Sequence, residues 1–403
     1  MKTPSPRPPE DRLLLGPGPS PVPPSVLRAM AAPLLGHLDP DFLALMDGVQ
    51  ESLRTVFGTR NRFTLPLSGT GSAGMEALLV NLLEPGDAVV VAVNGLFGER
   101  MTDVAARAGA RVVRVDDPWG SPVDVAKFAK AVAAAKPVAA AFVHAETSTG
   151  ALSDAAALAK AARDGGALPL MDCVTSLGGL PVEVDAWGIA AAFSGTQKCL
   201  ASPPGLSPVT VSDAAIARVR ARKTKVPSWY LDFTMLADYW GEGRTYHHTA
   251  PVTAIYGLRE SLRLVEEEGL EARFARHRRA QASLVAGLEA MALRPLVASA
   301  DHRLPPLTAV EVPAGVDDAR LRKRLLAEHG IEIGGGLGPL KGKIFRIGLM
   351  GHGARVGNVV AALAALSDAL RREGHAPPGD PIAAALAKWA ASGPDRPAGA
   401  SAP

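Results

Sequence analysis

The chain has 403 residues, 47% hydrophobic and 21% charged. That composition excludes a disordered chain, and the length exceeds what one small core needs. Its formal charge of +3, from 43 Lys and Arg against 40 Asp and Glu, lacks the basic surplus of a phosphate-backbone binder, so nucleic acid is not an expected partner. Cys173 and Cys199 lie inside apolar segments rather than in a spaced framework, which argues against a disulfide scaffold or zinc site and fits a reducing, cytoplasmic setting.

In chain order, the start MKTPSPRPPEDR has no apolar core of signal-peptide type, and no apolar run reaches bilayer-spanning length, so no membrane association is expected. Proline-rich residues 2–9 and 17–24 bracket LLLG, and residues 1–24 read as an extended arm of the kind that crosses onto a partner subunit. A helix is expected from Phe42 to Val56, after which strands and helices alternate: RFTLPL, a helix from Met75 to Leu83, DAVVVAV, a helix around Met101 to Ala108, and ARVVRVD. PVAAAFVHA, a helix from Asp154 to Arg163, LPLMDC and AAAFSGT continue the rhythm. It is the pattern of a mainly parallel sheet covered by helices on both faces, whose ligands bind at the strand ends.

A long helical stretch after Pro251 breaks at Gly269 and resumes from Leu270 to Met291. LTAVEV, a helix from Asp317 to Ala327, IEIGGG, KIFRIGLM and a helix from Val356 to Arg372 then make a smaller α/β unit. The expected division is an arm (1–24), a large domain (25–268), a small domain (269–375) and a Pro/Ala-rich tail (376–403), in which PIAAALAKWAAS has the spacing of a short helix.

Residues 69–74 spell GTGSAG after an expected strand and before a helix. A dinucleotide fold would place an acid at the end of the next strand to bind ribose, and DAVVVAV instead ends at Asn94. Thr70 and Ser72 add hydroxyls to the free N–H groups of a helix start, a cup suited to one phosphate. Two further residues end apolar strands, Asp172 in LPLMDCVTSLGG and Lys198 in AAFSGTQKCL. A lysine that forms a Schiff base and a carboxylate that keeps a pyridine nitrogen protonated are what pyridoxal phosphate chemistry requires. Neither residue carries that reading without the other.

The segments LLLGPGPS, TRNRFTLPLSGTG, LVNLLEPGD, HAETSTG, DCVTSLGG, SGTQK, RKTK, YHHT, PVTAIYGLRESL, IEIGGGLGP and FRIGLMG together resemble the class V aminotransferases of pyridoxal phosphate fold type I. The likeness is specifically to the alanine–glyoxylate, or serine–pyruvate, aminotransferase family, and it covers about residues 13–375. It implies that Lys198 holds the cofactor and that Asp172 pairs with its pyridinium. Thr147 would lie by the ring hydroxyl, Val174 on one ring face, and Thr70, Gly71, Ser72 and Gln197 at the phosphate, with Tyr246 and Thr249 reaching that phosphate from the other subunit of a homodimer. Arg346 matches the arginine that holds the substrate carboxylate, a role suited to a guanidinium fork because amino and 2-oxo acids share that group. The implied reaction is a ping-pong transfer through a Lys198 aldimine from alanine or serine to glyoxylate or pyruvate.

Two positions depart from the alanine–glyoxylate members. Phe97 stands where they carry a stacking tryptophan, and Ser72 where they carry a histidine; an aromatic at Phe97 still stacks, and the change resembles serine–glyoxylate enzymes. The donor therefore stays open, with serine–glyoxylate or 2-aminoethylphosphonate–pyruvate transfer as alternatives. A desulfurase of the same fold needs a mobile nucleophilic cysteine, which neither cysteine offers, and has histidine where this chain has Gln197. A non-enzymatic α/β binding protein is the remaining reading. His247 and His248, adjacent in sequence, are expected to diverge, and no metal site is assigned.

Overall fold

The structure, a computed structural model, describes residues 10–393. The arm carries a two-residue strand, Leu13–Leu14 (β1), followed by helices Pro24–Met30 (α1) and Pro40–Phe57 (α2). Strands Phe63–Ser68 (β2), Ala88–Val93 (β3), Arg111–Asp116 (β4) and Ala139–Val143 (β5) come next. The polar loop beyond β5 folds into a small hairpin of Ala145–Glu146 (β6) and Ala151–Leu152 (β7). Leu168–Asp172 (β8), Ala191–Phe193 (β9) and Leu206–Val211 (β10) finish the central sheet.

That sheet has seven strands in the order β2-β10-β9-β8-β5-β3-β4, parallel except for β10, which runs antiparallel to both neighbours. Strands β3 and β5 are buried at every position, which is why their sequences are apolar without alternation. The connecting helices are Gly71–Leu82 (α3), Leu96–Arg107 (α4), Val125–Ala135 (α5), Ala155–Asp164 (α6) and the short Val184–Trp187 (α7). Asp154 starts α6 by accepting the Ala157 N–H at 2.9 Å, a local cap legible in its type and place.

β10 and the helices α5, Asp213–Arg220 (α8) and Phe233–Trp240 (α9) have no counterpart in the expected elements. Prolines 203, 204 and 208 disguise β10 as loop. Pro208 faces Pro66 of β2 directly across the ladder, and a position that donates nothing to its partner tolerates proline.

Val252–Glu268 (α10) and Leu270–Ala290 (α11) follow with Gly269 between them. Leu307–Glu311 (β11), Asp318–His329 (α12), Ile331–Glu332 (β12), Gly334–Gly335 (β13) and Ile344–Gly348 (β14) then lead to Val356–Arg372 (α13). One apolar cluster is drawn from Phe42 to Val265. A second joins Leu15 of the arm to residues from Ala280 to Ala385. Pro381–Ala391 (α14) belongs to this second core rather than trailing from it: Ala385 is fully buried, Ser283 donates to its carbonyl at 2.7 Å, and Arg279 lies 4.3 Å over the Trp389 ring. Residues 394–403 of the expected tail, and residues 1–9 of the arm, fall outside the described residues.

The arm is fixed to the small α/β unit through Leu13, Leu14 and Leu15. β1 pairs in parallel with β12, and the Gly348 N–H donates to the Leu15 carbonyl at 2.8 Å. Burying Leu15 completely contributes about 2 kcal/mol to that attachment.

Candidate active site

The loops leaving β2, β3, β5, β8 and β9 meet at one end of the sheet, since these strands run in the same direction. They are the carboxyl ends, where open α/β sheets place ligands. Asp172 closes β8 and is 2% exposed, and Lys198, five residues past β9, is 7% exposed. Burial pushes the Asp172 carboxyl up to about 7; the Val174 N–H, donated to Oδ1 at 2.9 Å, pulls it back, while the charge of Glu146 pushes it further. Burial likewise holds the Lys198 amine down to about 8, with Arg346 acting in the same direction and Asp172 and Glu146 opposing. Each of the pair thus stabilises the charge of the other across a shared interior.

The lysine's backbone is clamped from two sides. From the arm, Ser20 N donates to the Gln197 carbonyl at 2.9 Å and Ser20 Oγ to the Lys198 carbonyl at 2.7 Å. The Lys198 amine donates to the Pro17 carbonyl. Gly18, at φ +106, has no room for a side chain: a Cβ there would stand 2.9 Å from Lys198 Nζ. From α11, Arg273 donates to the carbonyls of Cys199 at 2.5 Å and Gly178 at 2.8 Å, and Arg276 to Gly351 at 2.8 Å. Glu268 pairs with both arginines. Such fully bonded guanidinium groups act as rigid braces.

The GTGSAG segment forms the start of α3. Thr70 is its N-cap but makes no side-chain capping bond, and Thr70 and Ser72 are exposed while Gly71 is buried. Close by, Arg100 Nη1 lies 3.4 Å from Ser72 Oγ, with its guanidinium 5.0 Å over the Phe97 ring. Val174 backs onto Gly71, where a Cβ would come within 3.3 Å of its methyl. Gln197 Oε1 is buried with no hydrogen-bond partner. Free helix N–H groups, two hydroxyls and a guanidinium therefore converge on a place fit for one phosphate. Asp172 accepts the Val174 N–H at Oδ1, and among the described residues no donor bonds its Oδ2, which suits a protonated ring nitrogen. On these grounds the residues fit pyridoxal phosphate.

Arg346, on β14, is 6% exposed. It donates to the Gly335 carbonyl at 2.7 Å and the Thr147 carbonyl at 3.1 Å, and among the described residues no carboxylate forms an ion pair with it. Burial brings its pKa down to about 10, opposed by Glu146 and reinforced by Arg322. A guanidinium held this way retains donors for a bidentate carboxylate. Thr147 itself is buried beside Glu146 in the hairpin loop.

Tyr246 and Thr249 lie elsewhere in the chain's own surface. Both are exposed, their hydroxyls are 3.5 Å apart, and no hydrogen bond joins either to Thr70, Gly71 or Ser72 among the described residues. The neighbouring histidines do not diverge as expected. Their Nδ1 atoms meet at 2.8 Å, His248 Nε2 reaches Ser68 at 2.8 Å, and His247 stacks on Trp229 with ring centroids 4.4 Å apart.

Sequence reasoning passed over Glu146, Arg100, Ser20 and the Pro17 carbonyl. Glu146 had one visible signal, a carboxylate three residues beyond the apolar strand PVAAAFV. The role of a backbone carbonyl has none. Both cysteines are buried and unpaired, with Sγ atoms donating to the Phe193 and Thr175 carbonyls at 3.2 Å, and burial pushes both thiols up. Neither is a mobile nucleophile.

Comparison with known proteins agrees with this geometry. Residues 12–356 match the family model described as aminotransferase class-V. The chain is 42% identical over 379 residues to (S)-ureidoglycine–glyoxylate transaminase of Bacillus subtilis, covering 90% of this chain and 91% of that one. It is 43% identical over 363 residues to alanine–glyoxylate aminotransferase of Callithrix jacchus, covering 89% and 88%. The solved alanine–glyoxylate aminotransferase of Nostoc sp. superposes with a TM-score of 0.89 at 47% identity, covering 92% of this chain and 98% of that chain. The protein belongs to the class V aminotransferases, pyridoxal phosphate enzymes of fold type I.

Proposed function

We propose that the protein is a glyoxylate aminotransferase whose donor is a small amino acid carrying an α-carboxylate, alanine or serine foremost, with pyruvate as a second acceptor. The observation that carries the reading is Arg346: a buried guanidinium without a carboxylate partner, anchored on Thr147 and Gly335 and electrostatically coupled to Lys198. One such fork binds an amino acid in one half-reaction and a 2-oxo acid in the other. Glyoxylate also appears in the names of the relatives at 42% and 43% identity. The first of those favours a second donor, (S)-ureidoglycine, which shares the α-carboxylate.

In this reading Lys198 holds the cofactor, Asp172 its ring nitrogen, and Thr70, Gly71, Ser72 and Gln197 its phosphate, with Thr147 by the ring hydroxyl and Phe97 and Val174 on its two faces. Pyridoxal phosphate supplies an aldehyde carbon for the amine and a ring that withdraws electrons from the substrate Cα. Asp172 Oδ keeps the ring nitrogen charged. Lys198 Nζ, buried and brought toward neutrality, would be the base that takes the proton from the substrate Cα and holds it for return. Arg346 orients the carboxylate so that the Cα proton faces Nζ.

The same proposal makes the enzyme a cytoplasmic homodimer, with an arm of 1–24, a cofactor domain of 25–268 and a small domain of 269–375. Support for the dimer is the exposure of the large apolar side chains Leu27, Leu34, Leu38, Trp229, Tyr230 and Tyr246, with the His37 and Tyr246 ring centroids 5.4 Å apart. Such exposure favours an interaction surface, from which Tyr246 and Thr249 would reach a neighbour's phosphate. The test is a half-reaction panel that follows the cofactor spectrum as alanine, serine, (S)-ureidoglycine, glycine, aspartate and 2-aminoethylphosphonate are added in turn. Conversion by the first three supports the reading, and conversion by 2-aminoethylphosphonate alone overturns the Arg346 assignment.

A further inference from the structure

Glu146 is fully buried, yet among the described residues no basic side chain lies within ion-pair distance of it. Its partners are donors from two loops. Oε1 accepts the Ser148 N–H at 3.0 Å and the Ser148 hydroxyl at 2.6 Å; Oε2 accepts the Phe97 N–H at 3.1 Å, and the Gly98 N–H also reaches the carboxylate. Ser148 Oγ in turn accepts the Leu96 N–H at 3.0 Å. Leu96, Phe97 and Gly98 are the first three residues of α4, a helix whose own N-cap, Gly95, offers no side chain.

The orphan N–H groups of a twelve-residue helix are thus received by a carboxylate and hydroxyl from the loop beyond β5. Gly95 is glycine for that approach, since a Cβ there would overlap the Glu146 carboxyl carbon. The first turn of α4 is also where Phe97 and Arg100 project beside the phosphate cup. Burial pushes the Glu146 carboxyl up from the ordinary carboxylate range, and the Ser148, Phe97 and Gly98 donors pull it back.

We propose that Glu146 is a positioning residue of this site: its carboxyl group caps α4 from the neighbouring loop, which sets the Phe97 ring and Arg100 against the cofactor. The inference rests on the pyridoxal phosphate reading above.

The experiment compares Glu146→Gln with Ser148→Ala in cofactor-loaded protein. Visible circular dichroism of the bound cofactor changes in both variants, because both loosen the first turn of α4, and the cofactor Kd rises about tenfold in each. A role confined to stability would lower Tm in both and leave the dichroism per bound cofactor unaltered, and that result overturns the proposal. If Glu146→Gln does not fold, Gly95→Ala drives a methyl into the same carboxylate, and an unchanged dichroic band in that variant overturns it equally. Failure of the wild-type protein to bind pyridoxal phosphate sinks the reading beneath; binding with an unmoved dichroic band in Glu146→Gln sinks this inference alone.

Discussion

The two poles of the cofactor site are built on opposite terms. At the ring end, Asp172 and Lys198 are almost wholly buried and brought toward neutrality, and every brace on them, from Ser20, Arg273 and Val174, comes from the same chain. At the phosphate end, Thr70 and Ser72 are exposed, the helix N-cap is unsatisfied, and Tyr246 and Thr249 face outward on an apolar surface. One pole is walled by buried groups, and in the dimer proposed above a second subunit would finish the other. Chemistry that depends on shifted proton affinities needs low dielectric and rigid walls, whereas an anion anchored by N–H groups can be finished by an incoming neighbour.

The hardest blow to the buried pole is Lys198→Ala. Activity is expected to fall by on the order of ten-thousandfold or more, since in the proposed function the residue both tethers the cofactor and moves the proton. Borohydride reduction should then fix no cofactor to the protein, and a retained adduct would show that another lysine reacts. Asp172→Asn keeps the shape but cannot hold a charged ring nitrogen; a loss of roughly a thousandfold in kcat, read against an unchanged fold by far-UV circular dichroism, is expected.

Arg346→Lys tests whether a fork rather than a charge is needed. Losing bidentate pairing at a buried carboxylate site is worth about 2–4 kcal/mol, which appears as a large rise in KM for both the amino acid and glyoxylate. The pH dependence of cofactor capture sharpens the same pole. Burial lowers the Lys198 pKa to about 8, so the neutral amine forms as pH rises through 8 rather than through the ordinary lysine range. The rate at which cofactor-free protein takes up pyridoxal phosphate should therefore climb with a midpoint near 8 and level above it.

The smallest effect belongs to the open pole. Tyr246→Phe and Thr249→Ala are each expected to raise the cofactor Kd by about tenfold, the value of one hydrogen bond to a charged group. Mixing Tyr246→Phe protein with Lys198→Ala protein and finding cofactor affinity unchanged from the separate pools would argue that no site is shared between subunits.

The fold was legible where periodicity and burial coincide. Runs such as AVVVAV and AAAFV are strands because they are covered on both faces, and apolar character alone announces that. LSPVTV escaped because its proline reads as a breaker, and only the ladder reveals that Pro208 lies opposite Pro66. The pair Asp172 and Lys198 could be read from residue type at strand ends. Ser20 and the Pro17 carbonyl could not, because their partners are nearly two hundred residues away and involve backbone atoms common to every residue. Glu146 fell between these cases, its position visible in sequence and its helix partner supplied by a different loop.

The arm has a consequence for the order in which the molecule is made. Leu13 and Leu14 find their strand partners at Ile331 and Glu332, and only a few residues later Ser20 grips the carbonyl of Lys198. A nascent chain emerging from the ribosome amino end first must leave its opening residues waiting until more than three hundred others have been synthesised. The reactive lysine would be enclosed among the last events of assembly, after the central sheet that carries it has already formed.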